Sequence, residues 1–375
     1  MIPRTLDKNI YSSLFTRKAV ILIGPRQVGK TTLINTILTT YPGEYLFLDG
    51  DDPTVIGLLS KANTEQLRQI IGRKKIVFID EAQRIPNIGI TAKIIIDQLK
   101  PVQVILSGSS ALELNQQTQE PLTGRKWTFH LWPISWEEYQ AHVGYLPAEQ
   151  DLETRLVFGF YPDVINNKTR QKETLQELSD SYLYKDVLMY GTIKKPDLVQ
   201  KLLQALAHQL GNEVSYKEVG DLIGADPKTV SHYIELLEKT FVVFKLPAFS
   251  RNLRDEIKTN RKIYFYDNGI RNAVIGQFQA LENRNDKGAL WENFLISERL
   301  KLISYNKMST RTYFWRTKQQ QEVDYVEERE GQIYGFEFKW NAKRGIRFPK
   351  TFTHNHTSIN AGITRDNFRE FVLQL

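Results

Sequence analysis

Residues Gly24-Pro25-Arg26-Gln27-Val28-Gly29-Lys30-Thr31 fit the spacing G-x-x-x-x-G-K-[ST], and with their flanks they constrain the fold more than any other stretch. An apolar run, Ala19 to Ile23, precedes the loop, and a helix-like run, Thr32 to Thr40, follows it. Strand, glycine loop and helix in that order specify a P-loop in an α/β domain. The glycines let backbone N–H groups curl around phosphates at a helix N-terminus, whose dipole favours anions. Gly24 through Thr32 are the expected cradle of a nucleoside triphosphate, with Lys30 reaching the β- and γ-phosphates and the Thr31 hydroxyl ligating Mg²⁺.

A second segment, Lys75-Ile76-Val77-Phe78-Ile79-Asp80-Glu81-Ala82, is an apolar strand ending in two acids. A continuous apolar run suits a parallel strand covered on both faces, and ligands bind beyond the C-terminal ends of such strands. Asp80 is expected to hold Mg²⁺ indirectly. Glu81 is expected to orient or deprotonate the attacking water, the plainer alternative being a solvated loop acid. A third strand, Val102 to Leu106, runs into Ser107-Gly108-Ser109-Ser110, where Ser107 or Ser109 can bond the γ-phosphate or the water. Small residues there also suit an ordinary turn. Arg125 follows in Leu122-Thr123-Gly124-Arg125, where an arginine can stabilise phosphoryl charge on a neighbouring subunit or serve as a structural cation.

These segments together resemble a family of prokaryotic AAA-type ATPases. The resemblance rests on Ile23 to Thr32, Phe78-Ile79-Asp80-Glu81-Ala82-Gln83, Leu106 to Ser110, and Leu122 to Arg125, in order. Trp132-Pro133-Ile134-Ser135-Trp136-Glu137-Glu138 is similar to the family's Pro-Leu-Ser-Phe-x-Glu stretch. Gly159-Phe160-Tyr161-Pro162 is similar to its Gly-Gly-Tyr-Pro, with Phe160 in place of the second glycine. Tyr182 to Val187 looks like the helix opening its C-terminal half, known as domain of unknown function 4143. The resemblance implies ATP and Mg²⁺ as cofactors and an ATPase fused to a C-terminal region.

The middle of the chain has the pattern of a winged helix-turn-helix. Ser215 to Ile223 is helical in period, with Val219, Leu222 and Ile223 on one side. Gly224-Ala225 turns the chain, Asp226 caps the next helix, and Pro227 suits its first position. Lys228 to Lys239 places Val230, Ile234 and Leu237 inward and Lys228, Thr229, Ser231, His232 and Lys239 outward. Phe241 to Leu246 is the strand that starts a wing. The outward helix face can enter a DNA major groove, or the module can serve for packing alone.

The last third carries a second constellation. Glu322 to Val326 and Tyr334 to Trp340 are strands, and Leu290 to Phe294 begins a helix. Asp324 precedes Glu337-x-Lys339, and Glu337 and Lys339 share one strand face. Carboxylates on neighbouring strands can hold Mg²⁺, while the lysine steadies charge beside a scissile phosphate. This arrangement resembles the core of restriction-endonuclease-like nucleases, with Glu292 matching their helix acid. Asp324, Glu337 and Glu292 are the expected metal ligands and Lys339 the catalytic cation. Alternating Glu and Lys on an exposed strand is the plainer reading.

At 375 residues the chain has room for two or three domains. It has no cysteine, which excludes disulfides and thiolate chemistry, and its six histidines lack metal spacing. No apolar stretch can span a bilayer and no secretory pattern opens the chain, so a cytoplasmic location is expected. A net charge of +7 suits a polyanion such as DNA. Basic residues cluster at Arg251, Arg254, Lys258, Arg261 and Lys262, and again at Lys339, Lys343, Arg344, Arg347 and Lys350. The expected fold is α/β throughout: an AAA+-type P-loop ATPase domain with a helical extension over 1–190, a winged helix over 191–255, and a restriction-endonuclease-like domain over 256–375. The expected function is ATP turnover coupled to DNA remodelling or processing by a homo-oligomer, with hexamers and branched or single-stranded DNA among the options and no membrane partner. The alternative is a nucleotide-dependent switch that binds protein partners through an inert nuclease-like module.

Overall fold

The computed structural model describes residues 2–109, 114, 117–180, 195–250, 261–341 and 345–374, with Asn355 in its backbone alone. The chain divides into two compact units, residues 1–132 with 239–241 and residues 133–238 with 242–375.

The first unit is built on β1 (Ala19–Ile23), β2 (Tyr45–Asp49), β3 (Ile76–Asp80), β4 (Gln103–Gly108) and β5 (Lys126–His130). All pair in parallel, in the order β2-β3-β4-β1-β5. Strands β1, β3 and β4 are buried along their whole length, as their unbroken apolar runs require. Strand β2 lies at the edge and leaves Tyr45 and Phe47 partly exposed. Helices α1 (Leu6–Ser13), α2 (Lys30–Thr40), α3 (Pro53–Leu59), α4 (Thr64–Ile71) and α5 (Ile88–Gln98) also belong to this unit. Because β4 lies between β1 and β3, the C-terminal tips of these three strands stand side by side. The P-loop, Asp80-Glu81 and Ser107-Gly108-Ser109 are therefore delivered to one edge of the sheet.

The second unit opens with α6 (Trp136–Val143), α7 (Tyr145–Phe158), α8 (Pro162–Asn166) and α9 (Gln171–Leu178). The division between the two units after Trp132 falls within the stretch 1–190 expected to hold the ATPase domain and its helical extension. The reason is aromatic packing: Trp136 meets Phe160, Phe294 and Phe368 edge to face at 6.3, 6.0 and 5.3 Å. The Trp136 backbone N–H also donates to buried Glu298 at 2.6 Å, and Lys301 closes the knot on Glu298 at 2.6 Å and on the Ile134 carbonyl at 3.1 Å. Phe160, which replaces a glycine of the resembled motif, fills this cluster. Gly159 is obligatory, since its φ is +68° and an added Cβ would strike Asp267.

Next come α10 (Pro196–His208), β6 (Glu213–Val214), α11 (Tyr216–Ile223), α12 (Pro227–Lys239), β7 (Val243–Pro247) and β8 (Arg261–Phe265). The strands form an antiparallel sheet, β6-β8-β7. The Asp226 carboxylate accepts the Lys228 and Thr229 N–H groups, both at 3.0 Å, and so starts α12. Gly224 ends α11 at φ 74°. Val219, Ile223, Val230, Ile234 and Leu237 are buried as expected, but Leu222 is 69% exposed. In a helix of two turns, Val219 and Ile223 fill the inward stripe and Leu222 falls outside it. The expected boundary at 255 falls between β7 and β8, which pair with each other. Asn293 ties β8 further: it accepts the Phe265 N–H at 2.8 Å and donates to the Phe265 carbonyl at 3.0 Å.

The remainder is α13 (Asn268–Val274), α14 (Lys287–Tyr305), β9 (Thr310–Arg316), β10 (Glu322–Arg329), β11 (Gln332–Phe338), α15 (Lys350–Asn355), β12 (Ser358–Ile363) and α16 (Phe368–Leu373). The sheet order is β12-β11-β10-β9, with β9, β10 and β11 antiparallel and β12 parallel to β11. Among the described residues no helix is long and apolar enough to cross a membrane.

Candidate functional site

The P-loop leaves the buried end of β1 and enters α2 through residues with backbone torsions few side chains adopt. Gln27 and Gly29 have φ of 58° and 91°. Gly24 has no room for a side chain, because an added Cβ would lie 2.1 Å from the Leu131 carbonyl oxygen. Lys30 is buried, and its ammonium donates to the Gly24 and Pro25 carbonyls at 3.0 and 2.8 Å. The cation is thus held inside the curl of the loop.

Asp80 gathers the neighbouring strand tips. One carboxylate oxygen accepts from the Thr31 hydroxyl at 2.5 Å, and the other accepts from the Ser107 hydroxyl and the Glu81 N–H. Ser107 and Ser109, equivalent candidates by sequence, take different partners: Ser107 binds Asp80, and Ser109 donates to Glu81 at 3.3 Å. Glu81 sits in the left-handed region, at φ 44° and ψ 39°. That conformation costs on the order of 1–3 kcal/mol for a residue with a side chain. Gly50 permits it, because a Cβ there would come 2.5 Å from the Glu81 carbonyl.

Two further residues shape the site. Gln83 donates its amide to the Glu81 carboxylate at 2.5 Å and is itself buried. Its signal was an amide two positions past the acid, inside a motif already noted. Arg4, ahead of α1, donates to the Val28 carbonyl at 2.8 Å and to the Trp132 carbonyl at 2.5 Å. Nothing local in the sequence marks it. Arg125 pairs with Asp97 at 3.0 Å, and its side chain is 44% exposed.

In the second unit, Asp324 on β10 and Glu337 on β11 lie on adjacent strands. Lys339 approaches them at 3.9 and 3.4 Å. Asp324 also accepts the Phe338 N–H at 2.8 Å. Burial, then the Asp324 charge, pushes the Glu337 carboxyl up to about 7. Glu292, the expected third ligand, faces another cation: the Lys262 ammonium at 3.0 Å, with the Tyr264 hydroxyl donating at 2.5 Å. Of the basic cluster read from the sequence, Lys262 is buried, and Arg251, Arg254 and Lys258 lie outside the described residues. Lys343 and Arg344 of the second cluster lie outside them as well. Among the described residues, no three acids or histidines are grouped to hold a metal ion. The expected set of Glu292, Asp324 and Glu337 is thus divided between two lysines.

Fold and site in the first unit are those of an α/β domain with a P-loop. Residues 16–140 match the family described as AAA domain, residues 149–281 the domain of unknown function 8612, and residues 287–370 the domain of unknown function 4143. The resemblance put the opening helix of domain 4143 at Tyr182 to Val187. That segment lies within the 8612 match and outside the described residues. Uncharacterized proteins of Mycobacterium bovis and Mycobacterium tuberculosis are each 28% identical over 334 residues, covering 87% of this chain and 71% of theirs. One of Methanocaldococcus jannaschii is 22% identical over 344 residues, covering 86% and 75%. Among solved structures, Aeropyrum pernix Orc1 in complex with DNA is 14% identical, with TM-score 0.29 over 72% of this chain and 90% of that one. A RuvB mutant of Thermotoga maritima is 16% identical, with TM-score 0.34 over 64% and 88%. At these scores neither likeness defines a function.

Proposed function

We propose that this chain hydrolyses ATP and couples the turnover to DNA bound by its second unit. The observation that carries the ATPase part is the meeting of Lys30, Thr31, Asp80, Glu81 and Ser107 at one sheet edge. The loop fits a triphosphate: its lysine is buried with its ammonium on the Gly24 and Pro25 carbonyls, and its glycines leave the backbone open. When bound, MgATP supplies the phosphoanhydride bond and the charge that these residues compensate. Lys30 exchanges its two carbonyl partners for phosphate oxygens. The Thr31 hydroxyl and Asp80, already joined, hold the cation side of the cradle. Glu81 accepts the proton of the attacking water, and Gln83 and Ser109 fix the direction of its carboxylate. Ser107 holds Asp80 in place. Arg125 exchanges Asp97 for the phosphates of an adjacent subunit in a homo-oligomer.

The DNA part rests on element order. The series α10-β6-α11-α12-β7-β8 supports a winged-helix reading, with Lys228 and His232 exposed on its second helix. The series α14-β9-β10-β11-α15-β12 supports the restriction-endonuclease-like reading of the C-terminal domain. Its lysine-paired acids favour a docking role over cutting. The test is ATP turnover with and without single-stranded, duplex and branched DNA, alongside gel shifts of the same DNAs. Stimulated turnover is expected, and Lys228→Glu should weaken binding and lower the salt slope by about 1. Turnover indifferent to every DNA, with no shifted band, would favour a switch acting on protein partners.

A further inference from the structure

A group of buried charges surrounds Lys262 on β8. Its ammonium lies 3.0 Å from Glu292 and 2.5 Å from Glu322, and its side chain is 1% exposed. Tyr264, on the same face of β8, donates to the same Glu292 oxygen at 2.5 Å. The ammonium also stands 5.5 Å from the Phe314 ring centroid. Burial alone would push this amine down, but Glu292, Glu322 and Asp324 hold it above the ordinary lysine value.

Lys339 repeats the arrangement at the other side of the cluster, against Asp324 and Glu337. Four carboxylates therefore face two ammonium groups, and the Arg316 guanidinium also reaches Glu322, at 3.6 Å. Like-charged carboxylates so close need a cation between them. A divalent ion would do this through two or more direct oxygen ligands. Here Glu292 and Glu322 already spend an oxygen each on Lys262, and a metal ion would have to sit beside a buried positive charge.

We propose that the Lys262 ammonium is the resident cation of this acid cluster, standing where a divalent metal would otherwise screen Glu292 and Glu322 beside Asp324. The cluster therefore takes no Mg²⁺ or Mn²⁺ and is complete without one. This inference stands apart from the ATP and DNA reading, since it concerns cation binding in nucleotide-free protein.

The experiment is a Mn²⁺ titration of the full chain without nucleotide, followed by electron paramagnetic resonance of free Mn²⁺. Wild type and Asp324→Asn should titrate alike, because no ion reaches the cluster. Lys262→Met should gain a site, with Mn²⁺ affinity raised about tenfold or more, and Asp324→Asn in that background should remove it. Wild-type binding that Asp324→Asn abolishes would overturn the proposal. So would a folded Lys262→Met protein that gains nothing. Should Lys262→Met fail to fold, the comparison of wild type with Asp324→Asn still decides whether the cluster takes a metal.

Discussion

The Arg4 guanidinium donates to the Val28 carbonyl at 2.8 Å, so the N-terminal segment braces the P-loop. A second donation, to Trp132, makes the brace two-ended. Arg4→Ala should leave both carbonyls without this partner and destabilise the first unit by roughly 1–3 kcal/mol. ATP affinity should fall several-fold with it, because the loop loses its fixed curl. Thermal melting with a fluorescent nucleotide titration checks both effects, and unchanged affinity would limit Arg4 to a packing role.

Glu81 and Gln83 should separate proton transfer from its positioning. Glu81→Gln is expected to bind ATP as wild type does and to hydrolyse it about 10²–10⁴-fold more slowly. Gln83→Ala should give a smaller loss in kcat at unchanged KM, since the base remains but its carboxylate is loosened. Steady-state phosphate release measures both. Lys30→Ala should instead weaken binding itself.

Arg125 lends itself to a mixing test. Arg125→Ala alone should bind ATP and turn it over poorly. Mixed with Glu81→Gln subunits, it should regain activity at interfaces that pair an intact Arg125 with an intact Glu81. Absence of rescue under demonstrated subunit exchange would return Arg125 to its Asp97 partner.

Glu337 predicts a pH trend in stability. Its carboxyl rises from 4.5 to about 7 in the folded protein, so the folded state holds the proton more tightly than the unfolded state. The stability it contributes is fully present below the ordinary value and is lost as pH rises through the folded one. Glu337→Gln should flatten this part of the Tm profile between about pH 5 and about pH 8. An identical slope in the variant would place the titration elsewhere.

The ATPase sheet was legible because its signals are local. Unbroken apolar strands, a spaced glycine loop and acids at a strand end each declare themselves within a few residues, and Ala19 to Ile23 coincides with β1. The second unit was less so. Lys262 reads as one of five neighbouring basic residues, yet Ile263, Tyr264 and Phe265 after it are the mark of a strand buried on both faces. Its acidic partners lie on α14 and β10, far along the chain, where no periodicity could point to them. The placement of the helices after Trp132 was hidden for the same reason, since Trp136 is anchored by Phe294, Phe368 and Glu298. Arg4 acts through carbonyls, which carry no sequence signature at all.

The pairing of β7 with β8, and of β8 with Asn293 of α14, has a consequence for how the chain can be divided. Those hydrogen bonds make the small antiparallel sheet and the long helix one cooperative folding unit. Expressing residues 191–255 and 256–375 as separate fragments would leave β7 in one piece and its partner β8 in the other. Each fragment would carry an unpaired strand edge prone to aggregation. Co-expression should let the halves complement one another, and amide exchange across β8 and the start of α14 should proceed at a common rate.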